Sequence, residues 1–186
     1  MGGLLSISRG IDAFTFRLGK AVGWLILAAV LVSAINASVR FAFNMSSNAW
    51  LEMQWYLFGA VFLLASAYTL QMNEHIRIDI ISSRLSKRSR DWIEVIGNLL
   101  FLMPLCLVMI YTSVPFAIRA YTSGEYSSSA GGLILWPAKI LVPLAFILLL
   151  AQAVSELIKR VAIMRGIIPD PHASQSSHHP AIEVME

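Results

Sequence analysis

The chain has 186 residues, 57% hydrophobic and 13% charged, with a formal net charge of +3 and one cysteine. This is well above the roughly 45–50% apolar content of ordinary soluble domains, so a water-soluble globular fold is excluded. The lone cysteine excludes an internal disulfide.

Four uncharged windows separate the charges: Ala21–Val39, Met53–Asn73, Val95–Ile118, and Ile140–Ser155 with an apolar approach from Gly131. A bilayer crossing needs about 20 apolar residues at 1.5 Å each. The pattern therefore predicts an all-α integral membrane bundle of four transmembrane helices, over about 18–43, 50–72, 92–118 and 131–158. Residues 1–165 are expected to form this membrane domain, and 166–186, rich in Pro, Ser and His, a disordered cytoplasmic tail.

Before the first span, Met1-Gly2-Gly3-Leu4-Leu5-Ser6 fits a myristoylation pattern, but four spans leave an acyl chain little to add. Arg9, Arg17 and Lys20 precede the apolar run and no A-x-A-like site follows, which reads as an uncleaved signal anchor. Within the span, Ala29, Ser33 and Ala37 at four-residue spacing predict a close-packing face.

Between spans two and three lies NEHIRIDIISSRLSKRSRDW, Asn73 to Trp92. Ile78, Ile81, Leu85 and Trp92 form one apolar stripe, which predicts an amphipathic cytoplasmic interfacial helix over about 78–90. Arg84, Lys87, Arg88 and Arg90 with Trp92 are the expected membrane-surface anchors, each basic group contributing about 1 kcal/mol at an anionic surface. Lys87 is placed to reach Asp91 at i,i+4, and the alternating charges of EHIRID predict an ion-pair network at a helix end.

In the last two spans, Pro104, Pro115 and Pro143 predict bends, and Cys106 is a packing residue. Gly131-Gly132 after three serines reads as flexible backbone, and Lys139 is expected to lift its ammonium to the headgroups. Glu52, Glu94 and Glu156 sit at span ends, while Asn36, Gln54, Ser66, Thr69, Asn98 and Gln152 are suited to hydrogen bonds between helices.

Orientation follows from Lys and Arg. With the N-terminus inside, eleven of the fourteen fall on the cytoplasmic side, leaving Arg40, Arg119 and Lys139 outside. Both termini are expected in the cytoplasm, with Trp24 and Trp92 at the inner interface and Trp50, Tyr121, Tyr126 and Trp136 at the outer one.

Enzyme chemistry is not expected. The sequence carries no Walker loop, no H-E-x-x-H and no G-x-S-x-G, and no span holds the two histidines a bis-imidazole haem requires. His172, His178 and His179 fall in the tail, so no metal, no cofactor and no nucleic-acid partner is expected. Charge is absent from the middle of every span and no inverted repeat is visible, which argues against transport by this chain alone. Two other readings stay open: a membrane anchor for a redox enzyme, and a self-sufficient tetraspan channel or transporter.

The segment WLEMQWYLFGAVFLLASAYTLQMNEHIRIDII, followed later by GEYSSSAGGLILWPAK and VPLAFILLLAQAVSELIKR, resembles the small four-helix membrane subunit of tripartite ATP-independent periplasmic (TRAP) transporters, the DctQ-like family. The likeness runs from about Trp24 to Arg165. It is strongest at Glu52 to Tyr56, at Asn73, Glu74, His75, Arg77 and Asp79, and at Glu125, Gly132, Trp136, Pro137, Lys139 and Pro143 with Gln152 and Glu156. The resemblance implies a bacterial inner-membrane scaffold for a large TRAP subunit, which carries the substrate and sodium sites and moves like an elevator. It also implies a periplasmic substrate-binding protein that delivers an organic acid. Glu52, Glu74, His75, Arg77 and Asp79 become candidates for a subunit interface or a structural polar network, and Glu125, Trp136 and Lys139 for periplasmic contact. NEHIRID and GGL…WPAK look closest to the branch for mannitol, chloroaromatic or 2-oxo monocarboxylate uptake. One departure stands out: Ile134 occupies a position where related sequences often have proline.

Overall fold

The computed structural model describes residues 2–45, 47–72 and 87–169. They form α1 (Gly2–Phe43), α2 (Asn48–Met72), α3 (Lys87–Gly97), a single π-helical turn (Asn98–Leu102), α4 (Met103–Thr122) and α5 (Trp136–Met164). Four helical stretches are long and apolar enough to cross a membrane: α1, α2, residues Asp91–Thr122 and α5. The predicted all-α, four-span class is what the chain adopts. Residues 78–86 of the predicted interfacial helix, with EHIRID, and the tail from 170 onward lie outside the described residues. Residues 87–90 run straight into the third spanning stretch as the start of α3.

The packing is inside out by the standard of a soluble protein. The buried apolar residues are Val22, Cys106 and eight alanines, at 29, 60, 67, 117, 120, 145, 153 and 162, whereas Phe41, Phe62 and Tyr111 are at least 80% exposed. In hydrocarbon a large side chain gains nothing by leaving the lipid, so helices associate where small residues let backbones approach. Cys106 is buried, as its packing role requires.

The buried positions also share a period. On α1 they are Ser8, Thr15, Val22 and Ala29; on α2, Ala60 and Ala67; on α4, Cys106, Ser113 and Ala120; on α5, Ala145 with Gln152 and Ser155 with Ala162. Each of these steps is seven residues, the spacing that keeps one seam of a helix facing its neighbour in a left-handed supercoil, and Ala117, Pro143 and Ala153 are buried beside the series. The expected four-residue face of Ala29, Ser33 and Ala37 is thereby corrected: Ala29 is buried, Ser33 half-buried and Ala37 exposed. α1 packs on α2, α4 packs on α5, and α5 touches every other helix described.

α1 begins sixteen residues before the predicted span and is 42 residues long, about 63 Å at 1.5 Å per residue. Its early part is held against α5 by Ser8, whose hydroxyl lies 2.7 Å from that of Ser155. Gly19 sits where α1 meets α2, and a Cβ there would overlap the ring of Tyr68.

The π turn follows from Pro104, which has no N–H for the helical ladder. Met103 N–H reaches back to the Asn98 carbonyl, five residues away. The turn shifts the phase of the seam. Asp91 and Asn98 face α5 seven residues apart, but the next inward residue is Cys106, eight beyond Asn98. Both α4 and α5 end in Schellman caps, with Gly124 and Gly166 at positive φ. Glu125 N–H bonds Ala120 O, and Ile167 N–H bonds Ala162 O.

Gly19→Ala is expected to lower stability by about 1–3 kcal/mol through overpacking. Gly10→Ala and Gly23→Ala, where a Cβ meets open space, should leave the melting temperature in detergent unchanged or raise it. A melting series of the three variants checks both expectations.

Candidate functional site

Polar side chains gather at the two ends of the bundle. At the end where α1 starts and α5 finishes, two adjacent cations of α5 hold two different helices. Lys159 Nζ lies 3.0 Å from Asp12 Oδ2 of α1 and 2.6 Å from Glu156 Oε1. Arg160 pairs with Asp91 of α3 at 3.1 Å and with Glu94. Asp12 collects further donors: Gln152 Nε2 at 2.9 Å and Ser155 Oγ at 2.8 Å on one carboxylate oxygen, with Gln71 Nε2 of α2 on its main-chain carbonyl at 2.9 Å. Asn98 donates to the Ala153 carbonyl at 2.9 Å. Asp12 thus ties three spanning helices together, α5 through its carboxylate and α2 through its main-chain carbonyl, and α5 supplies both cations.

Asp12 escaped the sequence reading, although it is the one acidic residue before Glu52. A single acid on a basic helix end was the available signal. Asp91, assigned to Lys87 by spacing, is held by Arg160 and is buried. The side chains of Lys87 and Arg90 lie outside the described residues, as do Glu74, His75, Arg77, Asp79 and Arg84. Arg88 and Trp92 are exposed at this same end.

The opposite end is organised around Glu52. Residues 124–135, between α4 and α5, form a miniature hairpin with an isolated bridge between Tyr126 and Ile134, closed by Ser127 N–H to Leu133 O and Leu135 N–H to Glu125 O, both 2.9 Å. Glu52 receives the Ser127 hydroxyl and, at 2.7 Å, the Leu133 N–H. One turn on either side, Asn48 donates to Ala130 O at 2.9 Å and Tyr56 to Ile134 O at 3.3 Å. Asn48, Glu52 and Tyr56 are four residues apart, so one stripe of α2 grips the hairpin.

This overturns the reading of Gly131-Gly132 as flexible backbone. Gly131 has φ +71°, and a Cβ on Gly132 would lie 2.6 Å from Ser127 Cβ and 2.8 Å from a Glu52 oxygen. Both glycines are required by the turn and by the carboxylate behind it. Lys139 is engaged within the chain at this end. It pairs with Glu125 at 2.5 Å and lies 4.2 Å from the centre of the Phe116 ring. Trp136 meets Tyr121 edge-to-face at 5.5 Å. The three residues expected at the periplasmic surface are thus gathered into one local cluster. At Ile134 the N–H takes no part in either hairpin bond, so the proline of related sequences would leave the hairpin intact.

Among the polar residues expected to link helices, Asn98 and Gln152 do so. Ser66 and Thr69 instead bond carbonyls of their own helix. Asn36 and Gln54 line a groove at the Glu52 end. No group of His, Cys, Asp and Glu that could hold a metal occurs among the described residues.

The polar stripe of α2 and the glycine hairpin it grips are two of the three blocks that carry the family resemblance, and here they are in contact. A family model confirms the resemblance: the DctQ component of tripartite ATP-independent periplasmic transporters matches residues 29–162. The chain belongs to this family. No curated protein and no solved structure matches. In this DctQ protein the matched region includes the whole Glu52 clasp, the π turn and nearly all of α5, while Asp12 and the first part of α1 precede it.

Two predictions test the clasps. Glu52→Leu leaves the Ser127 hydroxyl and the Leu133 N–H without their charged acceptor and should cost about 3 kcal/mol. Limited chymotrypsin digestion should then cut after Tyr126, with Glu52→Gln intermediate. At the other end, Asp12→Asn and Lys159→Met should each lower the melting temperature, and the double variant should lose less than the sum, as expected for directly paired groups.

Proposed function

We propose that this DctQ protein is the small permease subunit of a TRAP transporter in a bacterial inner membrane, with the Asp12 end of the bundle in the cytoplasm and the Glu52 hairpin in the periplasm. It scaffolds a large elevator-type subunit that carries out sodium-coupled uptake of an organic acid, of the 2-oxo or aromatic monocarboxylate class, delivered by a periplasmic binding protein. The observation that carries this reading is the family match over residues 29–162 of a four-span bundle. Its spans keep their charged residues at the ends, which suits a scaffold rather than an ion path, because ion and proton paths place ionisable groups in the membrane interior. Eleven of fourteen basic residues on the Asp12 side of the topology support the orientation.

On this reading Glu74, His75, Arg77 and Asp79 contribute to the contact with the large subunit. Arg84, Lys87, Arg88 and Arg90 with Trp92 hold the cytoplasmic loop at the headgroups. Glu52 acts one step removed: it fixes the hairpin that carries Glu125 and leads into Trp136 and Lys139 at the start of α5, in the shape met by the periplasmic binding protein.

Affinity purification from native membranes in mild detergent should bring down a much larger polytopic subunit at stoichiometric ratio. Liposomes holding both subunits should take up the acid only with a sodium gradient and the binding protein present. Uptake by this chain alone would replace the scaffold with an independent transporter.

A further inference from the structure

The hydroxyls in the spans bond carbonyls of their own helices nearly everywhere: Ser38 to Ala34, Ser66 to Leu63, Thr69 to Ala65, Thr112 to Val108 and Ser113 to Met109. In this way a polar group is satisfied without leaving the helix. Ser8 and Ser155 depart from the pattern by bonding across helices, and one further stretch departs from it without a partner among the described residues. Between α1 and α2, at the Glu52 end, a groove of about 540 Å³ is lined by Ser33, Asn36, Arg40, Asn44 and Gln54, with Phe41 and Leu51 among its apolar walls. None of these five polar side chains bonds another described residue, although each can donate a hydrogen bond.

Three features define what the groove accepts. Its donors include a guanidinium fork, two Asn amides, a Gln amide and a hydroxyl, and no carboxylate lines it. Glu52, the nearest acid in sequence, is engaged by Ser127 and Leu133 of the hairpin. The lining therefore suits an anion with several acceptor oxygens. Arg40 lies three residues before the end of α1, and Asn44 immediately follows that end at φ 52°, so the cationic mouth is at the height where a span meets the headgroups. From Arg40 the groove descends past Asn36 to Ser33, about 10 Å along the helix at 1.5 Å per residue, with Ala37, Phe41 and Leu51 as its apolar lining. A freely diffusing anion has no use for such walls, whereas a lipid carries its phosphate and its chains together.

We infer that this α1–α2 groove is a binding site for one anionic phospholipid of the leaflet at the Glu52 end. Its phosphodiester sits on Arg40 with Asn36, Asn44 and Gln54 as further donors, and one acyl chain lies along Phe41 and Leu51. The site is distinct from both polar clasps and stands whatever the transported substrate is.

Native mass spectrometry of the full-length protein, released from nanodiscs of mixed zwitterionic and anionic phospholipid, tests the site. The wild-type chain should retain one anionic lipid. Arg40→Gln should lower that occupancy about tenfold, the effect of one lost charge-assisted contact, with Asn36→Leu weaker in the same direction and Arg119→Gln, a cation outside the groove, without effect. Arg40 makes no contact that folding needs, and an unchanged melting temperature for its variant verifies this. Full retention of the anionic lipid by Arg40→Gln, or equal retention of the zwitterionic lipid by the wild type, overturns the proposal. So does displacement of the lipid by millimolar inorganic phosphate, which would mark a free-anion site, or a lipid-free groove in which a photocrosslinker at position 36 captures a second protein subunit.

Discussion

Lys159 and Arg160 are neighbours in sequence and about 100° apart around α5, and each holds a different helix. Lys159 takes Asp12 of α1 and Arg160 takes Asp91 and Glu94 of α3. In a bundle whose core is mostly alanine, packing alone specifies rotation and depth weakly, since one small residue fits against a neighbour much like another. Two diverging cations on the central helix remove that freedom. Charges half withdrawn from water are costly to leave unpaired, so the arrangement that satisfies both at once is strongly selected over its near alternatives.

Much of the architecture is legible in the sequence because the bilayer makes a simple demand. Four apolar windows bounded by charge are a sufficient signal for four helices. The seam between them is far less legible. In a soluble protein the core is read from large apolar residues at helical spacing, but here Leu, Ile and Phe occupy every face and carry no directional information. The directional residues are Ser8, Thr15, Val22 and Ala29 at intervals of seven, easily missed beside the four-residue series Ala29, Ser33 and Ala37 that crosses them. Asp12 was overlooked for a related reason: it precedes the apolar window, and its partners on α5 lie 140 to 147 residues away.

The hairpin between α4 and α5 shows what composition conceals. A run of serines and glycines looks like slack chain, yet Gly132 is packed against Ser127 and the Glu52 carboxylate. The determining residue, Glu52 on α2, is 75 positions from Ser127 in sequence. Residues of a family signature that seem to belong to separate segments, Glu52 and the two glycines, are thereby explained by one structural unit. An acid at a span end need not mark a substrate path; here it supplies the acceptors that the backbone of a sheetless turn lacks.

The π turn has a bearing on the register of the third span. Counted along the seam, Asp91 to Ala120 is four heptads plus one residue, and the surplus is taken up at Asn98–Leu102 just ahead of Pro104. A helix that receives one additional residue must either rotate everything beyond it by about 100° or widen a single turn. This chain has widened a turn, leaving the Arg160 partners on one side and the Cys106 face on the other in contact with the same helix. The bulge therefore lets one continuous span keep two differently phased faces on α5, the surplus residue being absorbed in a single turn.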